Sequence, residues 1–220
     1  MTFTGFPPGA LEFYEQLDAD NSKAFWQANK GRYDQLVKAP VEALCGALDG
    51  YGPFHVFRPY NDLRFSKNRP PYKTAQGAYG ESEGGAGFYF QISAQGLMCG
   101  TGYYAMAKDQ LVRFRSAVDA DATGAEIAEI VIELERRYSI GAIDELKTAP
   151  RGFPKDHPRI ELLRRKGLLM SKDFGAPKWI HGKQVVSKVQ KVWADASEMN
   201  TWLDAHVGPS TLEPDGMFPR

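Results

Sequence analysis

The hydrophobic period of the chain changes at residues 88–104. Phe88, Phe90 and Ile92 alternate with Tyr89, Gln91 and Ser93, and Ala94, Gln95 and Gly96 then turn the chain into a second run from Leu97 to Tyr104. Alternation at period two around a short turn predicts an antiparallel hairpin. The flanks follow a helical period instead. Leu11, Phe13, Tyr14 and Leu17 make a short stripe, and Asp20, Asn21 and Ser22 supply capping side chains for a longer helix. Its apolar positions run from Phe25 and Trp26 through Tyr33, Leu36, Val37, Val41, Leu44 and Leu48, and Pro40 is expected to kink or restart it. Beyond the hairpin, Lys108 to Val118 reads as a helix. Thr123 and Glu126 have capping-box spacing ahead of another, and a last helix runs from Val189 to Val207, closed by Gly208 and Pro209. Helices on both sides of a hairpin predict an α+β domain, a mostly antiparallel sheet covered by long helices near both ends of the chain.

A chain of 220 residues buries roughly 70% of its unfolded surface in one core, and no repeat or clean Pro- or Ser-rich linker divides it. The expectation is a single domain over residues 1–208 with a loose tail over 209–220. Lys plus Arg and Asp plus Glu each total 27, so no overall field draws the chain to nucleic acid, and any anion site must be local. Cys45 and Cys99 stand 54 positions apart within apolar patterns, which suits reduced, packed thiols. The N-terminus lacks a signal-peptide pattern, and no stretch approaches the ~18 apolar residues of a membrane span, so a cytoplasmic location without membrane contact is expected. The four histidines are dispersed, and Cys-x-x-Cys, His-Glu-x-x-His, dinucleotide and P-loop patterns are absent, so neither metal nor cofactor is expected. Nothing in the residue pattern sets an oligomeric state.

The chemistry-bearing residues gather where helix is excluded. Gly52, Pro53, Pro59, Pro70 and Pro71 break the segment from Tyr51 to Thr74, in which His55–Phe57 and Leu63–Phe65 read as short extended pieces. From Arg58 to Lys73 stand Arg58, Arg64, Lys67, Arg69 and Lys73, with Asp62 the one acidic residue and Tyr60 and Tyr72 adding hydroxyls. Guanidinium forks on a proline-stiffened segment suit carboxylate or phosphate oxygens, with Asp62 orienting Arg64. A solvated cationic edge that discourages sheet-to-sheet pairing is the plainer alternative. A second basic group, Arg151, Lys155, His157, Arg159, Arg164, Arg165 and Lys166, surrounds an expected helix N-terminus at Pro158, where free N–H groups also favour anions. Gly77 to Gly87 holds five glycines and reads as a mobile loop, and Gly100 and Gly102 leave one strand face bare for a close approach, where the ligand is expected to enter.

The run Arg58-Pro-Tyr-Asn-Asp62-Leu-Arg64-Phe65-Ser-Lys67-Asn-Arg69-Pro-Pro-Tyr72-Lys73-Thr74 resembles the domain of unknown function family 2461, bacterial proteins of similar length. Residues 21–33, 87–104 and 149–158 extend the resemblance over about Phe6 to Gly208. The family pattern lays onto Arg58, Asp62, Arg64, Phe65 and Tyr72. Asn61 stands where an Arg is usual, and Arg69 where a Lys is usual. The resemblance implies the fold and the segment of interest, and no reaction.

The leading expectation is therefore a pocket in which Arg58, Asp62, Arg64, Lys67, Tyr72 and Lys73 converge with Arg151 and Lys155 on a phosphate- or carboxylate-bearing small molecule. His157 or Tyr72 would be the acid or base if chemistry follows binding. The alternatives are a protein or nucleic-acid interaction module using the same cations along an open edge, disfavoured for nucleic acid by the neutral net charge, and an accessory protein whose cations make only internal salt bridges.

Overall fold

A computed structural model describes residues 2–62, 64 and 69–212. In chain order its helices are α1 (Pro8–Ala19), α2 (Lys23–Tyr33), α3 (Ala39–Ala47), α4 (Lys108–Asp119), α5 (Asp121–Glu135), α6 (Ile160–Arg164), α7 (Gln184–Asp195) and α8 (Ser197–His206). The strands are β1 (His55–Val56), β2 (Ala75–Glu81), β3 (Gly87–Ser93), β4 (Gly96–Tyr103), β5 (Ser139–Gly141) and β6 (Leu168–Gly175), in one sheet of order β1-β2-β3-β4-β6-β5. The fold is α+β with an antiparallel sheet and flanking helices, as expected. It divides into two compact units, and β4 and β6 each contribute residues to both.

The first unit holds Met1–Glu81, Phe88–Gly100 and Lys172–Trp193. Helix α1 buries Phe13, Tyr14 and Leu17 from the expected stripe, and the Ser22 hydroxyl caps α2 by accepting from the Phe25 N–H at 3.1 Å. Pro40 has no N–H to offer the Leu36 carbonyl and would collide with it in an α-helix. The chain meets this by widening to a π turn over Asp34–Lys38, closed by the Ala39 N–H on the Asp34 carbonyl, before α3 continues. Strands β3 and β4 are the expected hairpin, with Gly96 at φ +106° in its turn. On α7 the Trp193 indole packs against Tyr51, Phe54 and Phe88 and donates to the Gly100 carbonyl at 3.0 Å.

Gly77 and Gly80 do not lie in a mobile loop. They belong to β2, which pairs antiparallel to β1 with His55 opposite Tyr79 and Val56 opposite Ala78. Their missing side chains make room for neighbours. A Cβ at Gly77 would come 2.6 Å from the Tyr89 hydroxyl, and one at Gly80 would come 2.4 Å from the Tyr51 carbonyl. Glycine composition alone cannot separate flexibility from such close packing.

The second unit holds Ser82–Gly87, Thr101–Ser171 and Ala194–Arg220. Its glycines Gly84 and Gly85 form a turn held by Asp204 of α8, whose carboxylate accepts from the Tyr103 hydroxyl at 3.0 Å, the Ala86 N–H at 3.2 Å and the Ser82 hydroxyl at 3.3 Å. Gly102, at φ +122°, takes the close approach anticipated for it. The approaching group is the chain's own Leu168 carbonyl, 2.2 Å from where a Cβ would stand, so this position does not admit a ligand.

Three further expectations change here. Helix α5 starts at Asp121, and Thr123 makes no capping box because its hydroxyl donates to the Ala117 carbonyl at 2.6 Å. The long C-terminal helix is two helices bent at Ala196, with Asp195 held by the Tyr138 hydroxyl and by Arg137 at 3.2 Å. Helix α6 has only five residues and begins at Ile160, beyond Pro158. Ser210 and Thr211 are tied to the Asp109 carboxylate at 2.8 Å, and the rest of the expected tail from 213 lies outside the described residues.

Gly102→Ala should cost about 2 kcal/mol or more, because a backbone oxygen blocks the new methyl and φ is unfavourable for an L-residue. Gly152→Ala, at φ +95° with nothing within 4 Å, should cost only about 1 kcal/mol. Urea unfolding of the two variants measures the difference, and equal losses would refute the steric account.

Candidate functional site

The two described ends of the proline-rich segment, within the first unit, pair with each other at a neck. The Phe57 N–H donates to the Gly77 carbonyl at 3.1 Å, Lys73 N–H to the Pro59 carbonyl at 2.8 Å and Asn61 N–H to the Pro71 carbonyl at 2.9 Å, while Tyr60 and Tyr72 form an antiparallel bridge. Prolines cannot donate, so Pro59, Pro70 and Pro71 enter this ladder only through their carbonyls. The Asn61 side chain adds to this ladder. Its amide donates to the Pro70 carbonyl at 2.8 Å and to the Tyr72 carbonyl at 3.3 Å, so it braces the turn.

Two residues of the N-terminal helical region hold the neck in place. Asn21 binds both polar atoms of the Tyr72 backbone, donating to its carbonyl and accepting from its N–H, each at 3.0 Å. Trp26 stacks on Tyr72 with centroids 4.3 Å apart at 11° and meets Tyr60 edge-on at 5.8 Å. The same indole packs against Phe13 and Tyr33. Below the neck the Tyr33 hydroxyl donates to the Gln76 side chain, which donates to the Phe57 carbonyl at 2.6 Å. Sequence reading assigned Asn21 to capping and Trp26 to a helix core, since neither shows in its spacing that it meets a residue some fifty positions away.

Above this base the charges converge unevenly. Asp62 chelates Arg64, accepting from Nε at 3.0 Å and Nη2 at 2.6 Å, and also accepts the Arg64 backbone N–H. Arg58 Nη2 lies 3.9 Å from the same carboxylate. The Arg64 side chain is 73% exposed and that of Arg58 51%. Lys73 lies over the Phe57 ring at 5.2 Å and has no carboxylate partner among the described residues. Burial, and secondarily the Arg58 charge, lower the pKa of its ammonium group. Arg69 is exposed, whereas Leu63, Phe65 and Lys67 lie outside the described residues.

Tyr72 is buried against Trp26, and burial followed by the Tyr60 hydroxyl raises its pKa. That shift suits a hydrogen-bond donor at neutral pH and opposes service as a base.

The second basic group belongs to the other unit. Arg159 donates to the Val118 and Asp119 carbonyls at 2.6 and 2.8 Å, which caps the C-terminus of α4 with a cation. Arg164 binds the Leu146 carbonyl and Glu161, and Lys166 binds Asp144 at 2.5 Å. His157 is buried with both ring nitrogens engaged. Nδ1 accepts the Arg159 N–H at 3.0 Å, leaving Nε2–H to face Asp119 at 3.2 Å, so the ring staples the loop to α4. Arg151 and Lys155 remain exposed without partners among the described residues.

That unit also carries a cleft of about 640 Å³ between α5 and α8, lined by Glu126, Glu129, Glu133 and Glu198 over Ile130 and Trp202. No group of three metal-binding side chains occurs among the described residues, and no helix there is long and apolar enough to cross a membrane.

The Arg64 side chain, its backbone N–H and the charges of Arg64 and Arg58 hold the Asp62 carboxyl well below the usual carboxylate range. A depressed folded value means that the pair's contribution is complete above about pH 4 and is lost as pH falls through the lowered value. Carboxyl-carbon NMR should show Asp62 titrating well below about 4, and Arg64→Ala should return it upward. A wild-type midpoint near 4 would mean that the pair does not form in solution.

No curated protein and no solved structure matches the chain. The family model for conserved hypothetical proteins designated DUF2461 matches residues 9–202, a span that includes the whole loop and the residues that brace it, and the chain belongs to that family.

Proposed function

We propose that Arg58 and Lys73, with Arg64 beside them, bind a small molecule through a phosphate or carboxylate group. The carrying observation is a local excess of positive charge on a braced backbone. Arg64 chelates Asp62 and Arg58 lies 3.9 Å from the same carboxylate, whereas Lys73 has no carboxylate partner among the described residues. Lys73 is partly desolvated with Arg58 as a like-charged neighbour, a cost that an anion between them would relieve. The neck bonds and the Trp26–Tyr72 stack limit the ordering entropy on binding. Arg151 and Lys155 sit in the other unit, and this reading stands without them.

A second reading is favoured by exposure. Arg58 and Arg64 project from an open loop, the arrangement of an interaction module that contacts phosphates or an acidic protein along an edge.

Calorimetric titration with inorganic phosphate and with a dicarboxylate should give saturable binding. Arg58→Ala and Lys73→Ala should each weaken it about tenfold, the scale of one hydrogen bond to a charged group. Bound anion should also raise the Lys73 pKa toward its ordinary value, so that binding near pH 10 takes up protons. No response to either anion, with steeply salt-dependent oligonucleotide binding instead, would replace the small-molecule reading with the module.

A further inference from the structure

Tyr60 adds a feature that charge alone does not explain. It is a large aromatic side chain left 44% exposed in the middle of a cationic loop, between Arg58 and Asp62 in sequence. Single exposed rings are common on protein surfaces. This one is held in place. Its backbone is bridged to Tyr72, its ring lies 5.5 Å from the Tyr72 ring at 51°, and Trp26 meets it edge-on. Trp26 is itself 3% exposed and stacked on Tyr72, so Tyr60 is the solvent-facing end of an ordered aromatic column. A ring backed in this way loses little rotamer freedom when a planar group settles on it. Planar groups stack on such rings with little regard to their substituents, because every aromatic ring presents a π face.

From this we infer that the anion recognised by Arg58, Arg64 and Lys73 is attached to a planar aromatic ring, and that Tyr60 is the surface on which the ring stacks. The inference rests on the anion-binding reading and narrows its ligand class to aryl or nucleobase phosphates and carboxylates. In it the two parts of the ligand have separate receptors, cations for the charge and the Tyr60 ring for the plane. Trp26 touches the Tyr60 ring edge-on. Its Nε1 is buried and has no hydrogen-bond partner among the described residues, so ring contacts dominate its surroundings and its emission should respond to an occupant on Tyr60.

The test compares inorganic phosphate, phenyl phosphate and adenosine monophosphate by calorimetry at pH 8, where both phosphomonoesters are dianions. The two aromatic phosphates should bind roughly tenfold more tightly than inorganic phosphate, the scale of one stacked ring. Tyr60→Ala should bring the ratio of aromatic-phosphate to inorganic-phosphate affinity to about one, and Tyr60→Phe should preserve the wild-type ratio. Fluorescence should change on adding the aromatic phosphates to wild type and not to Trp26→Phe. A further gain for adenosine monophosphate over phenyl phosphate would identify the ring as a nucleobase, and equal affinities would identify a simple aryl group. Equal binding of all three compounds to wild type, or an aromatic advantage that survives Tyr60→Ala, overturns the inference while the anion reading stands. If none of the three binds, both readings fail together.

Discussion

One side-chain amide controls the geometry of the candidate site. Asn21 satisfies the N–H and the carbonyl of Tyr72 at once, and the Trp26 ring stacks on the Tyr72 phenol from the same helical region. A segment with three prolines cannot complete a backbone ladder by itself, since each proline withholds a donor. The missing constraint comes from side chains, Asn21 on one flank and Asn61 on the other. Without them Arg58, Arg64 and Lys73 would sample many arrangements, and each ordered contact with an anion would carry a larger entropic cost.

Charge is used in opposite ways in the two units. Arg159, Arg164 and Lys166 spend their donors on carbonyls and carboxylates of their own unit, where they close the C-terminus of α4 and anchor the loops around α6. Near the proline-rich neck, Arg64 and Arg58 meet the Asp62 carboxylate, and Lys73 meets no carboxylate among the described residues. Counting cations along the chain does not distinguish these cases, because what differs is the number of acceptors that folding brings within reach. His157 follows the same logic. Its ring nitrogens serve a backbone N–H and an aspartate, a structural use that leaves no free nitrogen for proton transfer.

Glycine shows how composition misleads when the neighbour is unknown. Gly77 and Gly80 looked like parts of a mobile loop, yet each faces an aromatic ring or a carbonyl that a methyl group would strike. Gly102 was rightly read as a place of close approach, but the partner is strand β6. Both outcomes follow from packing at interior density, where a missing side chain is filled by whatever lies opposite.

Periodicity along the chain determined the element types. The alternation from Phe88, the stripe through Phe13 and Leu17, and the Ser22 cap depend on residues within a few positions of one another, so local sequence was enough to read an α+β fold with a central hairpin. It also marked residues 58–73 as exceptional, since proline and clustered cations are compositional facts. Tertiary structure alone decided which described cations meet a carboxylate, that Asn21 and Trp26 support Tyr72, and that Tyr60 is the exposed member of the aromatic group with Trp26 and Tyr72. Those properties belong to pairs of residues far apart in the chain, and no spacing rule records a contact that the folded backbone creates.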